Sequence, residues 1–250
     1  PAFTQAAKLH FVAPSPVLRP HLGARFADIA PVFLDAFEDI PTHAPVLLVA
    51  NEWLDCLPVQ QFLKVGEAWH ERVVGLDDAG ELAFGLSAEA LPPEIAPQAD
   101  LEALELQPGL KTLTEELRTL FSVTTGRALF IDYGPAADTP QDTLRSFSKG
   151  EQIDPLAAPG ESDLTCDVDF RRLAHLAEAA GLSVSGPVSQ SAFLLRLGAE
   201  ARLNLLAQAH PEKADALYQS VVQLTDPAEM GTRFQALCVS PQSLKNPAAF

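Results

Sequence analysis

The most constraining feature of the chain is a short, wholly apolar run that is followed at once by polar residues. Val46–Ala50 reads Val-Leu-Leu-Val-Ala, which is typical of a strand buried on both faces of a parallel sheet. The residues that follow, Asn51–Val59, bring an amide and two carboxylates directly after that strand. Ligands of open α/β sheets bind beyond the carboxyl ends of the strands, so this segment is the first candidate for a functional site.

Strand-like and helical patterns alternate along the rest of the chain, which favours an α/β fold with a mostly parallel sheet. We expect Leu9–Val12 and Ala128–Ile131 to lie in the same sheet as Val46–Ala50, with Phe234–Val239 antiparallel near an edge. Apolar residues at helical spacing predict helices over 109–124, 170–180, 192–206 and 212–224.

An insertion is predicted inside this fold. Gln60–Val65, Trp69–Leu76 and Glu81–Leu86 have strand character, and a turn at Asp78–Gly80 separates the last two. The predicted organisation is therefore a first part of a Rossmann-like core at 1–59, an antiparallel insertion at 60–104, and a second part of the core at 105–250. A long loop at 134–165 lies within the second part, and such loops are commonly functional.

Composition and charge exclude several classes of function. Lys and Arg number 17 against 33 Asp and Glu, which gives a formal net charge of −16. That charge argues against tight binding of nucleic acid and of anionic membranes, and it permits a basic protein partner. No apolar run is long enough to span a bilayer. The three cysteines are widely spaced and form no CxxC pair, so free thiols are expected and a metal site is not.

Two carboxylates in the polar segment are spaced for joint use. Glu52 and Asp55 are three residues apart, so one helical turn would bring them to the same side. Two carboxylates can hold a guanidinium by charge-assisted hydrogen bonds. The alternative is that Asn51 or Asp55 caps a helix, and the spacing alone leaves both interpretations open.

The wider pattern resembles one known family. Asn51-Glu52-x-x-Asp55-x-x-Pro58-Val59 is similar to a motif of the complex I assembly-factor arginine methyltransferases. Further segments agree in the same order along nearly the whole chain. They are Ser15-Pro16-x-Leu18-Arg19, Trp69-x-Glu71-Arg72-Val73, Asp132-Tyr133-Gly134, Asp142-Thr143-Leu144, Asp154-Pro155-Leu156, Pro159-Gly160, Asp163-Leu164-Thr165-x-x-Val168-Asp169-Phe170, Gly186-Pro187-x-x-Gln190-x-x-Phe193-Leu194 and Met230-Gly231-x-x-Phe234.

The resemblance implies a seven-stranded, Rossmann-like class I methyltransferase fold, S-adenosylmethionine as methyl donor, and an arginine of a protein as acceptor. In the mitochondrial members that protein is a subunit of respiratory complex I. The implied location is the mitochondrial matrix, or the cytoplasm for a bacterial relative, and a homodimer is possible. No metal is required.

Candidate site residues follow from the motifs. We assign catalytic roles to Asn51, Glu52 and Asp55, and donor contacts to Ser15 and Asn51. We assign substrate contacts to Tyr133, Asp132, Asp163, Thr165 and Gln190. Each substrate assignment has a structural alternative: Asp132 can end its strand as a turn cap, Asp163 and Thr165 can form a local turn, and Gln190 can make a helix contact.

The sequence also departs from the family. The first strand and its Gly-rich turn are not found in these 250 residues, no GxG triplet occurs, and Ala13 stands where the family usually has Glu. We therefore expect these residues alone to bind the donor poorly. Three explanations are open: a piece of a longer protein, an upstream segment outside these residues, or a donor-free remnant that acts as a non-catalytic assembly protein. We favour the first two, because a missing central strand leaves backbone groups unpaired. A dinucleotide-binding oxidoreductase is disfavoured for want of GxGxxG.

Overall fold

Helices and strands alternate along the chain, as the sequence predicts. The structure is a computed structural model that describes residues 2–92, 101–134 and 142–250. In chain order the strands are β1 (His10–Val12), β2 (Val32–Leu34), β3 (Val46–Asn51), β4 (Gln60–Val65), β5 (Ala68–Leu76), β6 (Leu82–Ala90), β7 (Ala103–Leu106), β8 (Gly126–Tyr133), β9 (Arg145–Ser148), β10 (Glu151–Ile153), β11 (Asp163–Thr165), β12 (Leu182–Ser189) and β13 (Phe234–Pro241). The helices are α1 (Ala2–Ala6), α2 (Leu18–Arg25), α3 (Gly109–Val123), α4 (Phe170–Ala179), α5 (Gln190–Arg196), α6 (Ala199–Ala209), α7 (Ala214–Thr225) and α8 (Met230–Arg233), with short 3-10 turns at 27–29, 37–39 and 211–213.

The main sheet has four strands in the order β12-β13-β8-β3. β3 and β8 are parallel, and β13 is antiparallel to both of its neighbours. The predicted direction of Phe234–Val239 is confirmed, and the strand lies one position in from an edge. Fully buried side chains of β8 and β13, such as Phe130 and Leu237, form the centre of the core. The predicted α/β class is confirmed.

Two predictions about this sheet are wrong. Val46–Ala50 was expected inside the sheet, but β3 is its outermost strand, with β8 as its partner among the described residues. Leu48 and Ala50 pack on the core, whereas Leu47 is 62% and Val49 is 68% exposed. β1, expected in the same sheet, pairs in parallel with β2 in a separate two-stranded sheet. An apolar run predicts that both faces of a strand are covered, but it does not say whether other strands pair with both of its edges.

The main sheet is covered by two amphipathic helices. The helix predicted over 109–124 is α3, which buries Leu110, Leu113 and Leu117 at helical spacing. α4 buries Phe170, Leu173 and Ala177, and its N-cap Asp169 accepts a hydrogen bond from the backbone N–H of Arg172 at 2.9 Å.

The single helix predicted over 192–206 is in fact two. Gly198, at φ 89°, separates α5 from α6. A glycine adopts this left-handed conformation without steric cost, so the apolar pattern runs on while the helix axis breaks. In the described ranges, no helix combines the length and the apolar character needed to cross a membrane.

The antiparallel insertion contains the three predicted strands and one more. β4, β5 and β6 are joined by β7 in a sheet of order β6-β5-β4-β7. The turn between β5 and β6 is held by Asp77, whose carboxylate accepts the N–H groups of Ala79 and Glu81, both at 2.9 Å. Residues 93–100 of the insertion lie outside the described residues, and the division into domains stays a prediction.

The long loop predicted at 134–165 is better described as a small sheet. β9 is paired with β10 on one side and β11 on the other, both antiparallel. Residues 135–141 of the predicted loop lie outside the described residues. The Gly, Pro and Ser residues of this segment mark the turns of the small sheet. The short strands between those turns contain few residues typical of strands, so the segment as a whole has the composition of a loop. This three-stranded sheet lies next to the carboxyl end of β8, since the N–H of Val168, three residues after β11, donates to the carbonyl of Tyr133 at 3.0 Å.

Candidate functional site

The polar segments after β3 and β8 lie side by side. β3 and β8 are parallel, and Asn51 is opposite Ile131 at their carboxyl ends. Asn51 and Glu52 at the end of β3 and Asp132 and Tyr133 at the end of β8 are therefore neighbours at one end of the sheet. Because ligands bind at such ends in open α/β sheets, the structure places these predicted residues where a site is expected.

Asp132 anchors the segment that follows β3. One oxygen of its carboxylate, Oδ2, accepts the backbone N–H groups of Trp53 at 2.9 Å, Leu54 at 2.8 Å and Asp55 at 3.3 Å. Its other oxygen accepts the N–H of Tyr133 at 2.8 Å. The side chain is 1% exposed. Asp132 therefore fixes the shape of the turn through backbone hydrogen bonds, which agrees with the alternative that this residue acts as a turn cap.

Burial makes the Asp132 carboxylate hard to ionise. Desolvation raises its pKa to about 6, the nearby charge of Asp55 adds to the rise, and the backbone N–H donors oppose it. The backbone N–H donors favour the charged carboxylate, but burial and the charge of Asp55 outweigh them, so the fold favours the protonated acid.

Glu52 is the exposed acid of the turn. Its backbone has φ 49°, in the left-handed region that residues other than glycine rarely adopt. Such strain is most often found at functional sites, where the surrounding structure enforces it. The side-chain amide of Asn51 donates to Glu52 Oε1 at 3.2 Å. The result is a carboxylate that is directed by its neighbour and open to solvent.

Asp55, the second acid, is largely enclosed. It is 7% exposed, and its Oδ2 accepts the hydroxyl of Thr165 at 2.7 Å. Its Oδ1 accepts the Cys56 thiol at 3.4 Å. Burial, followed by the charge of Asp55, raises the pKa of that thiol to about 12, so it stays protonated. Asp55 thus connects the turn after β3 to β11 of the small sheet.

Tyr133 lies between the acids and a basic group. Burial raises the pKa of its phenol first, and the charges of Glu52, Asp55 and Asp132 raise it further, while Arg233 lowers it. The guanidinium carbon of Arg233 is 5.3 Å from the centre of the Tyr133 ring. The charges of Glu52 and Asp55 therefore both disfavour ionisation of this phenol.

The remaining predicted residues are divided between this site and other places. Thr165 contacts Asp55, and the exposed Asp163 lies at the start of the same strand, where its charge raises the pKa of Cys56. Gln190 is buried at the start of α5, and its amide donates to the carbonyl of Leu224 at 3.0 Å. That contact connects two helices. Its predicted role in substrate binding stays a prediction.

Ser15 precedes α2, and its hydroxyl accepts the N–H of Leu18 at 3.4 Å. The same motif contains Arg19, whose Nε donates to the Ala13 carbonyl at 2.6 Å and whose Nη2 donates to the Leu34 carbonyl at 3.1 Å. Arg19 therefore ties together the carboxyl ends of β1 and β2. The predicted donor contact of Ser15 stays a prediction.

Sequence reasoning missed a cluster of charged residues beside Tyr133. Asp167, whose side chain is 9% exposed, pairs with Arg145 at 3.3 Å and with Arg233 through both of its carboxylate oxygens. Arg233 also donates to the carbonyl of Gly134. The three residues line a cavity of about 290 Å³ together with Tyr133, Phe147, Gln152 and Thr165. Arg145 and Arg233 come from distant parts of the chain, and neither lies in a recognisable local pattern.

The described residues contain no group of three or more His, Cys, Asp or Glu side chains arranged to hold a metal ion. All three cysteines are free thiols, as predicted.

Comparison with known proteins identifies the family. Residues 1–188 match the family described as "Putative S-adenosyl-L-methionine-dependent methyltransferase". The chain belongs to this family. The family is defined by its dependence on S-adenosylmethionine, which agrees with the predicted cofactor and with the Rossmann-like class I fold.

Individual relatives agree with that assignment. A Drosophila melanogaster protein named "Protein arginine methyltransferase NDUFAF7 homolog, mitochondrial" is 36% identical over 219 residues, which are 82% of this chain and 49% of that protein. The Homo sapiens protein arginine methyltransferase NDUFAF7, also named as mitochondrial, is 36% identical over 209 residues, or 81% of this chain and 47% of that protein. The chain thus spans about half the length of the curated relatives it matches.

Solved structures show the same fold. A COG1565 superfamily member from Burkholderia thailandensis, bound to S-adenosyl-homocysteine, superposes with a TM-score of 0.78 and is 28% identical. The match covers 92% of this chain and 62% of that one. A native structure of a COG1565 protein from the same organism gives the same TM-score and covers 93% of this chain and 64% of that one.

The expectation that these residues alone bind the donor poorly stays a prediction. Ala13 offers no carboxylate at the carboxyl end of β1, and its carbonyl is already engaged by Arg19. The outer edge of β3, where another strand of a parallel sheet would pair, presents the backbone N–H groups of Leu47 and Val49, and the side chains of the same two residues are exposed on one face of the sheet. Among the predicted donor contacts, Asn51 and Ser15 remain as polar candidates.

Proposed function

We propose that the chain takes part in S-adenosylmethionine-dependent methylation of an arginine in a protein, and that its own contribution is to bind the acceptor arginine. The observation that carries this proposal is the turn at 51–55, in which an exposed acid with strained backbone is held beside a second acid and a phenol. The donor supplies the methyl group, and the residues of the turn hold the acceptor in place for it.

The division of labour follows from exposure. Glu52 is open to solvent and accepts hydrogen bonds from the guanidinium, which neutralises its charge and fixes its orientation. Asp55 is enclosed, so it supplies a second negative charge from behind and keeps Thr165 and β11 against the site. Holding the acceptor nitrogen in one orientation is a large part of catalysis, because the translational and rotational entropy of the acceptor is then lost on binding and not in the transfer step.

Asp132 and Asn51 support this arrangement. Asp132 holds the N–H groups of the turn, and Asn51 holds Glu52 Oε1. The names of the relatives support a protein arginine as acceptor, and we propose a respiratory complex I subunit as its source. We further propose the mitochondrial matrix, or a bacterial cytoplasm, as the location, and leave a homodimer as a prediction.

The test uses peptide binding and methyl transfer as separate measurements. Arginine-containing peptides and their citrulline counterparts are titrated against the chain by fluorescence anisotropy. Glu52→Gln is expected to weaken arginine binding about tenfold or more, since a hydrogen bond between charged groups is lost, and to remove the preference over citrulline. Glu115→Gln, an exposed acid on α3, is the matched control and should change neither.

Donor binding is measured independently by calorimetry, and methyl transfer from labelled S-adenosylmethionine is measured wherever the donor binds. Glu52→Gln should reduce transfer and leave both donor affinity and melting temperature unchanged. Arginine binding that is equal in the wild type and in Glu52→Gln would rule out the acceptor role. A lowered melting temperature together with lost binding would assign Glu52 to the fold.

A second candidate function is supported by β3. Its exposed Leu47 and Val49 form an apolar surface on a sheet edge, which favours pairing with another polypeptide. A non-catalytic assembly protein would retain this surface and would show no preference for arginine over citrulline in the experiment above.

A further inference from the structure

The cavity beside the acidic turn is lined by an excess of positive charge. Arg145 and Arg233 share one carboxylate, that of Asp167. One carboxylate balances one guanidinium, so the three side chains together keep about one positive charge. The cavity lining is therefore positively charged, although the chain as a whole has a formal net charge of −16.

The two guanidiniums are held in place before any ligand arrives. Arg233 is fixed by both oxygens of Asp167, by the carbonyl of Gly134 and by the ring of Tyr133. Arg145 donates through Nη1 to Asp167 at 3.3 Å and to the carbonyl of Thr143 at 3.2 Å, while its side chain is 37% exposed. A guanidinium fixed in this way loses little conformational freedom on binding an anion.

The cavity is also adjacent to the acceptor site. Thr165 lines the cavity and donates its hydroxyl to Asp55, and Tyr133 lines the cavity while its phenol is influenced by Glu52. A basic subsite therefore borders an acidic one, with Tyr133 and Thr165 between them. A ligand that fills both must carry a positive and a negative group close together.

Size limits what the basic subsite accepts. The cavity measures about 290 Å³, at the lower end of the range of about 300–1,000 Å³ for ligand pockets. It is suited to one side chain and not to a nucleoside-containing cofactor. A guanidinium binds carboxylate and phosphate in the same bidentate way, and the carboxylate is the one that unmodified protein side chains supply.

We propose that this cavity binds a carboxylate side chain of the substrate protein, close in sequence or space to the target arginine. The inference rests on the proposed function, because it takes the acidic turn as the arginine site. It adds a requirement for substrate choice: an aspartate or glutamate neighbouring the methylated arginine is recognised by Arg145 and Arg233.

The experiment uses short peptides with a central arginine in a glycine–serine background and one glutamate moved to each other position in turn. Each is compared with the peptide that has glutamine at the same place. The wild type is expected to bind at least one glutamate peptide about tenfold more tightly than its glutamine partner, as for a hydrogen bond between charged groups.

Arg145→Gln should abolish this preference, and Arg145→Lys should retain part of it, because the charge remains and the planar fork is lost. Arg118→Gln, which makes the same change of charge on the exposed side of α3, should leave the preference intact. Melting temperatures show whether each variant is folded. If Arg145→Gln does not fold, the comparison of Arg145→Lys with the wild type still tests the preference.

The outcomes separate this inference from the proposed function. A wild type that needs the arginine but does not distinguish glutamate from glutamine at any position overturns the carboxylate subsite and leaves the proposed function standing. A preference that survives in Arg145→Gln also overturns it. The carboxylate of the donor is the other source of this chemistry: an Arg145→Gln chain that loses affinity for S-adenosyl-homocysteine, with peptide preference unchanged, assigns the cavity to the donor and overturns the inference.

Discussion

The first 53 residues and the residues from 101 onward differ in how much they bury. From Gln5 to Trp53 no side chain is buried, although the segment contains β1, β2 and the apolar run of β3. In contrast, α3 alone buries six side chains. The acidic turn at 51–55 lies where these regions meet, and Asp132 anchors it to the well-packed one.

This difference bears on function. The acceptor residues are attached to β8 and β11, so they depend on the packed part of the chain. Ser15, a predicted contact of the methyl donor, lies in the part of the chain that buries few side chains. Ala13, which stands where the family usually has Glu, lies there too. We therefore expect the acceptor site to survive changes in the N-terminal region, and the donor site to depend on whatever covers β3.

The largest expected effect is on the packed region. Leu117 is 0% exposed in α3, so Leu117→Ala removes core contacts and leaves a cavity. We expect a loss of about 4 kcal/mol in the free energy of unfolding. Leu18→Ala, a similar change at a residue that is 55% exposed in α2, should cost less than about 0.5 kcal/mol. Urea unfolding of both variants measures the difference, and equal losses would contradict the comparison.

A smaller effect is expected from the anchor between the regions. The pKa of Asp132 rises from 3.8 in the unfolded chain to about 6 in the fold, so the folded chain holds this proton more tightly. Its contribution to stability is therefore fully present below pH 3.8 and is lost as the pH rises to about 6. The change amounts to roughly 3 kcal/mol at most.

Asp132→Asn does not titrate, so its stability relative to the wild type should increase across that pH range and level off above it. Urea midpoints at a series of pH values give this difference. Asp35→Asn, a change in an exposed ion pair with Arg19, is the control and should show no such trend. A constant difference between wild type and Asp132→Asn would show that Asp132 does not titrate in this range.

The smallest effect is confined to single backbone amides of β3. The N–H groups of Val46 and Glu52 donate to the carbonyls of Thr125 and Ile131, so by alternation those of Leu48 and Ala50 also face β8. The N–H groups of Leu47 and Val49 face outward. Hydrogen exchange followed by NMR should be slow at Leu48 and Ala50 and fast at Leu47 and Val49. Slow exchange at Leu47 and Val49 that depends on protein concentration would instead show a second copy paired on this edge.

Local pattern was enough for many elements and for part of the site. Apolar residues at helical spacing predicted α3 and α4, and Val46–Ala50 predicted a strand with polar residues after it. These features arise from neighbours in sequence, where periodicity and capping act directly. The segment that brings Asn51, Glu52 and Asp55 together was found for the same reason.

Other features depended on contacts between distant residues. Asp132 binds the turn 77–79 residues earlier in the chain, and no local pattern shows whether its carboxylate faces a ligand or a set of backbone N–H groups. Asp167 collects Arg145 and Arg233 only because β9 and α8 are brought together around it.

The sequence by itself therefore determined the class of fold, the family, and the polar segment after the apolar strand Val46–Ala50, since each is encoded in consecutive residues. The tertiary structure decided that β3 is an outer strand, that Asp55 is enclosed while Glu52 is open, and that a basic cavity borders the acidic turn. The physical reason is that burial and charge pairing are set by which surfaces meet in space. A side chain of a given type can serve either as an anchor or as a ligand contact, and only its neighbours distinguish the two.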